Sequence, residues 1–111
     1  MSDENITVGS AHLDLSSHFR EQAQQQIRAA AKKHLGDLTM ASVHVAQEGT
    51  YYRCSVNMQM GSLNMMSAEA KARDVSLAFR TALGKLKKQL RRTKRALRED
   101  RQNQPDKIAT A

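Results

Sequence analysis

Residues 52–60 read YRCSVNMQM. Tyr52, Cys54, Val56, Met58 and Met60 fall on one side of an extended chain and Arg53, Ser55, Asn57 and Gln59 on the other. That period of two belongs to an antiparallel strand with one buried and one wetter face. Just upstream, ASVHVA (41–46) repeats the pattern, with Ala41, Val43 and Val45 inward and Ser42 and His44 outward, and QEGT (47–50) joins the two runs. Downstream, Gly61 and Ser62 predict a two-residue hairpin into LNMMSAEA (63–70). The second, third and fourth strands of the chain therefore read as a meander.

Moving outward, ITVGSAHLDL (6–15) alternates loosely through Ile6, Val8, Leu13 and Leu15, which predicts a first strand and a short link. Ser16 or Ser17 then caps a helix in which Phe19, Ala23, Ile27 and Ala30 recur at helical spacing. Glu21 is expected in its first turn, where the helix dipole favours a carboxylate, and Gly36, preceded by Lys32, Lys33 and His34, is expected to end it. A second helix starts near Val75 behind Asp74 as cap. Its apolar members Val75, Phe79, Ala82, Leu83, Leu86, Leu90 and Leu97 form one seam. Residues 99–111 contain the sole proline and no periodicity, and a disordered tail is expected there. The reading is one α+β domain over 1–98, in the order β-α-β-β-β-α, with no internal repeat.

At 111 residues the chain has room for one modest core. With no Trp, two Phe and two Tyr, that core must be aliphatic, Ala and Met, and a stacking platform for unpaired bases is not expected. The single Cys54 cannot form an intramolecular disulfide, which fits a reducing compartment. No apolar run approaches the roughly 18 to 20 residues of a membrane helix, and the opening MSDENITV lacks the blocks of a signal peptide. A cytoplasmic protein is expected.

Little in the chain points to catalysis. Cys54 lies on the apolar side of its strand and reads as a small core residue. His12, His18, His34 and His44 show no metal-ligand spacing, and no CxxC accompanies them. The five glycines, at 9, 36, 49, 61 and 84, are too dispersed for a phosphate loop. Met58, Met60, Met65 and Met66 read as core filler rather than a soft-metal site, and QAQQQ (22–26) as a solvated helix face. No cofactor, metal, catalytic residue or small-molecule substrate is expected.

The charge distribution is more informative. KLKKQLRRTKRALREDR, residues 85–101, holds nine of the eighteen Lys and Arg residues and two acids, a local balance of +7 that equals the formal charge of the whole protein. No acid occurs from Lys85 to Arg98. Like charges four apart, such as Lys87/Arg91, Lys88/Arg92 and Lys94/Arg98, oppose helix formation unless a polyanion relieves them. They form two rows, Lys85, Lys88, Arg92 and Arg95 on one side and Lys87, Arg91, Lys94 and Arg98 on the other. A membrane surface would compete with the core for the apolar seam. The expected ligand is nucleic acid, met through phosphates and folded RNA shape, and these eight residues are the expected RNA-binding set.

The element order and the segment AFRTALGKLKKQLRRTKRALR (78–98) resemble the ribosome hibernation promoting factors, also called ribosome-associated translation inhibitors. That family carries an Asp-led helix with an A-I-D step, a D-K-L-x-R-Q-hydrophobic core and a basic K-x-K continuation. Here Asp74, Ala78, Lys85, Leu86, Lys88, Gln89, Leu90, Arg92 and Lys94 fall in register, within a resemblance spanning about residues 6–98. The chain departs from the pattern at Ser76 (usually Tyr), at Phe79 and Arg80 (usually Ile-Asp) and at Gln26 (often Lys).

The resemblance implies a four-stranded sheet with both helices on one face. It further implies binding to 16S rRNA of the 30S subunit and the 70S ribosome, in the channel used by messenger and transfer RNA, with inhibition of translation in stress or stationary phase. A short form without a second domain is expected. Short members either promote ribosome dimers or hold inactive monomers, and both readings stay open. The alternative from another class is a general structured-RNA-binding or RNA-chaperone module without a ribosomal site.

Overall fold

The structure, a computed structural model, describes residues 5–11, 13–34, 38–61 and 63–110, with side chains described up to Ala96 apart from His34. The elements are β1 (Ile6–Ala11), α1 (Ser17–His34), β2 (Leu38–Glu48), β3 (Tyr51–Met60), β4 (Met66–Ala72) and α2 (Val75–Thr110). The fold is α+β in the expected order.

The sheet runs β1-β2-β3-β4 and is mixed. β1 pairs parallel to β2, which a crossover through α1 permits, and β2, β3 and β4 form the antiparallel meander. Register assigns each strand's alternate residues to two faces. Ile6, Ala41, Met58 and Met66 line up across all four strands on the covered face. One residue along, Thr7, Ser42, Asn57 and Ser67 line up on the open one. Every strand residue read as inward is buried in β2, and in β3 Cys54, Val56, Met58 and Met60 are buried with Tyr52 half-buried.

Both helices cover the inward face, α1 against β1 and β2, and α2 against β3 and β4. Alanines set the close approach: Ala23, Ala30 and Ala31 on α1, Ala78 and Ala82 on α2, Ala41, Ala70 and Ala72 on the sheet. Larger side chains, Ile27, Leu83, Leu86 and Leu90 among them, fill the layer between. Phe19 and Phe79 meet edge to face with ring centroids 5.7 Å apart, joining the N-terminal parts of the two helices. The core is mostly aliphatic, Ala and Met, as the composition requires, with the two Phe and Cys54 completing it.

Both helix starts are capped by the expected residue types. The Ser16 hydroxyl accepts from the Phe19 amide at 3.1 Å, which settles the choice between Ser16 and Ser17. Asp74 accepts from the Ser76 amide at 3.3 Å. Ser16→Ala should lower stability by about 1 kcal/mol, seen as a reduced midpoint in thermal unfolding, while Ser17→Ala should leave the midpoint unchanged.

Two local expectations change. The two-residue turn joins β2 to β3 at Gly49 and Thr50, not β3 to β4: Glu48 pairs with Tyr51, and Gly49 has φ 62°. Primed hairpin turns need that left-handed backbone at their first central position. β3 and β4 are instead joined by residues 61–65, with Gly61 at φ 56° and Ser62 outside the described residues. The Gln59 carboxamide holds this wider loop by donating to the carbonyls of Gly61 and Leu63.

Second, α1 starts at Ser17, so its first turn holds no acid and Glu21 lies beyond it. The Gly36 stop falls outside the described residues. α2 itself runs to Thr110.

Candidate nucleic-acid interface

The buried seam of α2 fixes the direction of its charges. Ala78, Phe79, Ala82, Leu83, Leu86 and Leu90 face the sheet, all 2% exposed or less. Residues on the opposite arc must then point to solvent: Lys88, Arg91, Arg92 and Arg95 are exposed, and Lys87 is half-buried at the edge facing α1. Leu97 and Arg98 fall where side chains are not described.

Two of the predicted cations also hold the domain together. Lys85 donates to the Glu69 carbonyl of β4 at 3.0 Å, with Gln89 one turn on donating to the Ser67 carbonyl at 2.8 Å. On the other flank, Lys94 reaches the Lys33 carbonyl of α1 at 3.5 Å. Among the described residues no cation of α2 forms an ion pair with a carboxylate. The ion pairs lie on the open face of the sheet, where Glu48 contacts Arg53 and, at 3.3 Å, Lys71, while Arg53 is 3.7 Å from Glu69. The Lys71 hydrogen bond, together with the charges of Arg53 and Lys71, holds the Glu48 carboxyl below its usual range against the opposing effect of desolvation. The four ion-paired groups of the open face thus balance one another, whereas the α2 cations have no carboxylate partner among the described residues.

The structure extends the basic surface onto α1. A groove of about 360 Å³ between the helices is lined by Gln26, Ala29, Ala30, Lys33, Lys87 and Arg91. Lys33, read from sequence only as part of a helix end, joins the two α2 cations there. Its clustering depends on two helices far apart in sequence, which no local pattern encodes. Arg20 acts elsewhere, donating to the Val8 carbonyl at 2.9 Å and so tying α1 to β1.

Further toward the N-terminal end of α2 the same interhelical groove opens into a pocket of about 290 Å³. Gln26, Ser76, Phe79 and Arg80, the four positions where the chain departs from the resembled pattern, all line it.

The candidate catalytic groups are not brought together. Cys54 is fully buried, and desolvation pushes its thiol up to about 12, so it is protonated at neutral pH. His18 and His44 are exposed on α1 and on the open sheet face, while His12 and the His34 side chain lie outside the described residues. Met58, Met60 and Met66 are in the core and Met65 is 46% exposed. Among the described residues no three His, Cys, Asp or Glu side chains stand close enough to hold a metal ion, and no helix is long and apolar enough to cross a membrane.

The chain is 24% identical over 95 residues to a ribosome hibernation promotion factor of Rhizobium meliloti (strain 1021), a match covering 86% of this chain and 50% of that protein. It therefore spans about half the length of the curated relative it matches. The crystal structure of the Protein Y N-terminal domain of Thermus thermophilus superposes with a TM-score of 0.69 at 18% identity, over 78% of this chain and 94% of that one. A ribosomal subunit interface protein from Coxiella burnetii superposes with a TM-score of 0.70 at 15% identity, over 80% and 96%. These two likenesses are of fold. The family model described as Sigma 54 modulation protein / S30EA ribosomal protein matches residues 6–98, from the first strand to the last residue of the basic rows, and the chain belongs to that family.

Proposed function

We propose that this chain binds the small ribosomal subunit through 16S rRNA and represses translation in stress or stationary phase. The observation that carries the reading is the acid-free outward face of α2, where Lys88, Arg91, Arg92 and Arg95 stand exposed without a carboxylate partner among the described residues. A helix that only needed solvation would mix both signs and gain from Glu–Lys pairs four apart. Family membership and the names of the relatives support a ribosomal polyanion over other polyanions.

The mechanism is occlusion. The basic face of α2, extended by Lys33, rests on rRNA phosphates, and the sheet and α1 fill the channel that messenger and transfer RNA would use. The binding unit is the domain ending near Arg98, it acts in the cytoplasm where ribosomes are, and it catalyses no reaction. Sucrose-gradient sedimentation of a stationary-phase lysate should place the protein with 30S or 70S particles, and recovery solely from the ribosome-free fractions refutes the proposal. Competition separates it from general RNA binding: bulk tRNA should displace the protein from 30S far less readily than free 30S does.

Salt dependence follows from the same charges. If about five cations displace counterions, log affinity falls against log salt with a slope of roughly −4 to −5. Replacing Lys88 and Arg92 by Ala should reduce that slope by about two. Titrations with 30S at several salt concentrations measure it, and an unchanged slope would remove both side chains from the phosphate-contacting set.

A further inference from the structure

Two phenylalanines are all this chain has, and both meet at the floor of the pocket of about 290 Å³ between the N-terminal halves of α1 and α2. Phe19, Ala23 and Phe79 form an apolar base, and Gln22, Gln26, Ser76 and Arg80 form a polar rim. We propose that this pocket receives a single unpaired RNA base, with Arg80 on the adjoining phosphate. The inference rests on the RNA-binding reading above and adds to it a contact made to a base rather than to the backbone.

Size limits the occupant first. The volume lies at the lower limit of small-ligand clefts, about 300 Å³, and so suits one ring system. Chemistry narrows it further. Gln22 and Gln26 are four apart on one face of α1, and both line the pocket. A carboxamide both donates and accepts, which matches the paired donors and acceptors along a base edge, and Gln is a residue that reads adenine in this way. The Ser76 hydroxyl adds a group that can serve as either partner.

Continuity with the basic groove points the same way. Gln26 lines both this pocket and the neighbouring groove of Lys33, Lys87 and Arg91. At 1.5 Å rise per residue, Arg80 lies about 10 Å along α2 from Lys87 and about 16 Å from Arg91. A single strand can therefore lay successive phosphates along these cations while one base turns inward. Recognition of RNA sequence relies on such splayed bases in unpaired segments.

The test uses the full chain and fluorescently labelled RNA hexamers of equal charge. One carries an abasic third nucleotide, and the others carry each of the four bases there. Anisotropy titrations should show at least one intact hexamer binding about tenfold more tightly than the abasic one, toward the lower end of a single base contact. Ser76→Tyr plugs the pocket from an exposed position and should abolish that difference by weakening only the intact hexamer. Gln22→Ala with Gln26→Ala should act in the same direction, and serves as the test if the tyrosine disturbs the circular dichroism spectrum. Equal binding of all hexamers by the wild type, or a preference that survives in both variants, overturns the base pocket. Sedimentation with 30S alongside indifference to the base overturns only this inference. A base preference in a protein that never sediments with ribosomes overturns only the function proposed above.

Discussion

Lys88→Glu combined with Arg92→Glu should abolish co-sedimentation with 30S subunits and leave the melting temperature unchanged or slightly higher. Both side chains are exposed and lie in one row of α2, and among the described residues neither pairs with a carboxylate. Hydrogen bonds to charged groups contribute about 1.5–3 kcal/mol each, so losing two weakens binding by roughly 10²- to 10⁴-fold before repulsion by the new carboxylates is counted. Stability moves the other way. The two glutamates gain Lys85, Arg91 and Arg95 as neighbours three residues away, replacing like-charge contacts with pairs that contribute about 0.2–0.5 kcal/mol each. Loss of binding together with a lower melting temperature would instead make the two residues structural.

Leu90→Ala should give the opposite phenotype, a destabilised domain with an intact basic face. Leu90 is fully buried in the layer between α2 and the sheet, and truncation there costs about 2–5 kcal/mol through lost transfer energy and the cavity left behind. With total stabilities of about 5–15 kcal/mol for single domains, that is a large fraction of what holds the fold. The urea midpoint should fall by roughly 0.7–5 M for a slope near 1–3 kcal/mol per M. Leu77 is 46% exposed at the start of the same helix, and Leu77→Ala should change stability by under about 0.5 kcal/mol. Similar midpoints for the two variants would overturn the assignment of the seam.

These two residue sets are legible in the sequence because local periodicity alone specifies them. A strand buried on one face shows its period of two, and a helix with one covered seam reveals both the seam and, by subtraction, the charged arc. A cap at Ser16 or Ser17 and another at Asp74 are legible for the same reason, since a cap acts within three residues, and the structure decides for Ser16. The placement of the tight turn is not. Gly49 and Gly61 both adopt positive φ, and only the register of β4 against β3 decides which one closes a two-residue turn. Lys33 beside Lys87 and Arg91, and the pocket uniting residues 19–26 with 76–80, arise from packing two helices distant in the chain. Local pattern carries no trace of such tertiary meetings.

The open face of the sheet has a consequence for how a partner is met. Its centre is a ladder of small neutral groups, with Asn57 donating to Ser42 at 3.2 Å and accepting from Ser67 at 2.6 Å, and its ionic groups Glu48, Arg53, Glu69 and Lys71 cancel one another. Among the described residues the uncompensated cations lie on the helical side, so their charge is displaced across the sheet toward α2 and gives that part of the molecule an electric moment along that direction. In the field of a polyanion this moment produces a torque, so the domain rotates into alignment during diffusion and arrives helices first. Encounters in the wrong orientation become rarer, and the arrival rate responds more steeply to ionic strength than the departure rate does.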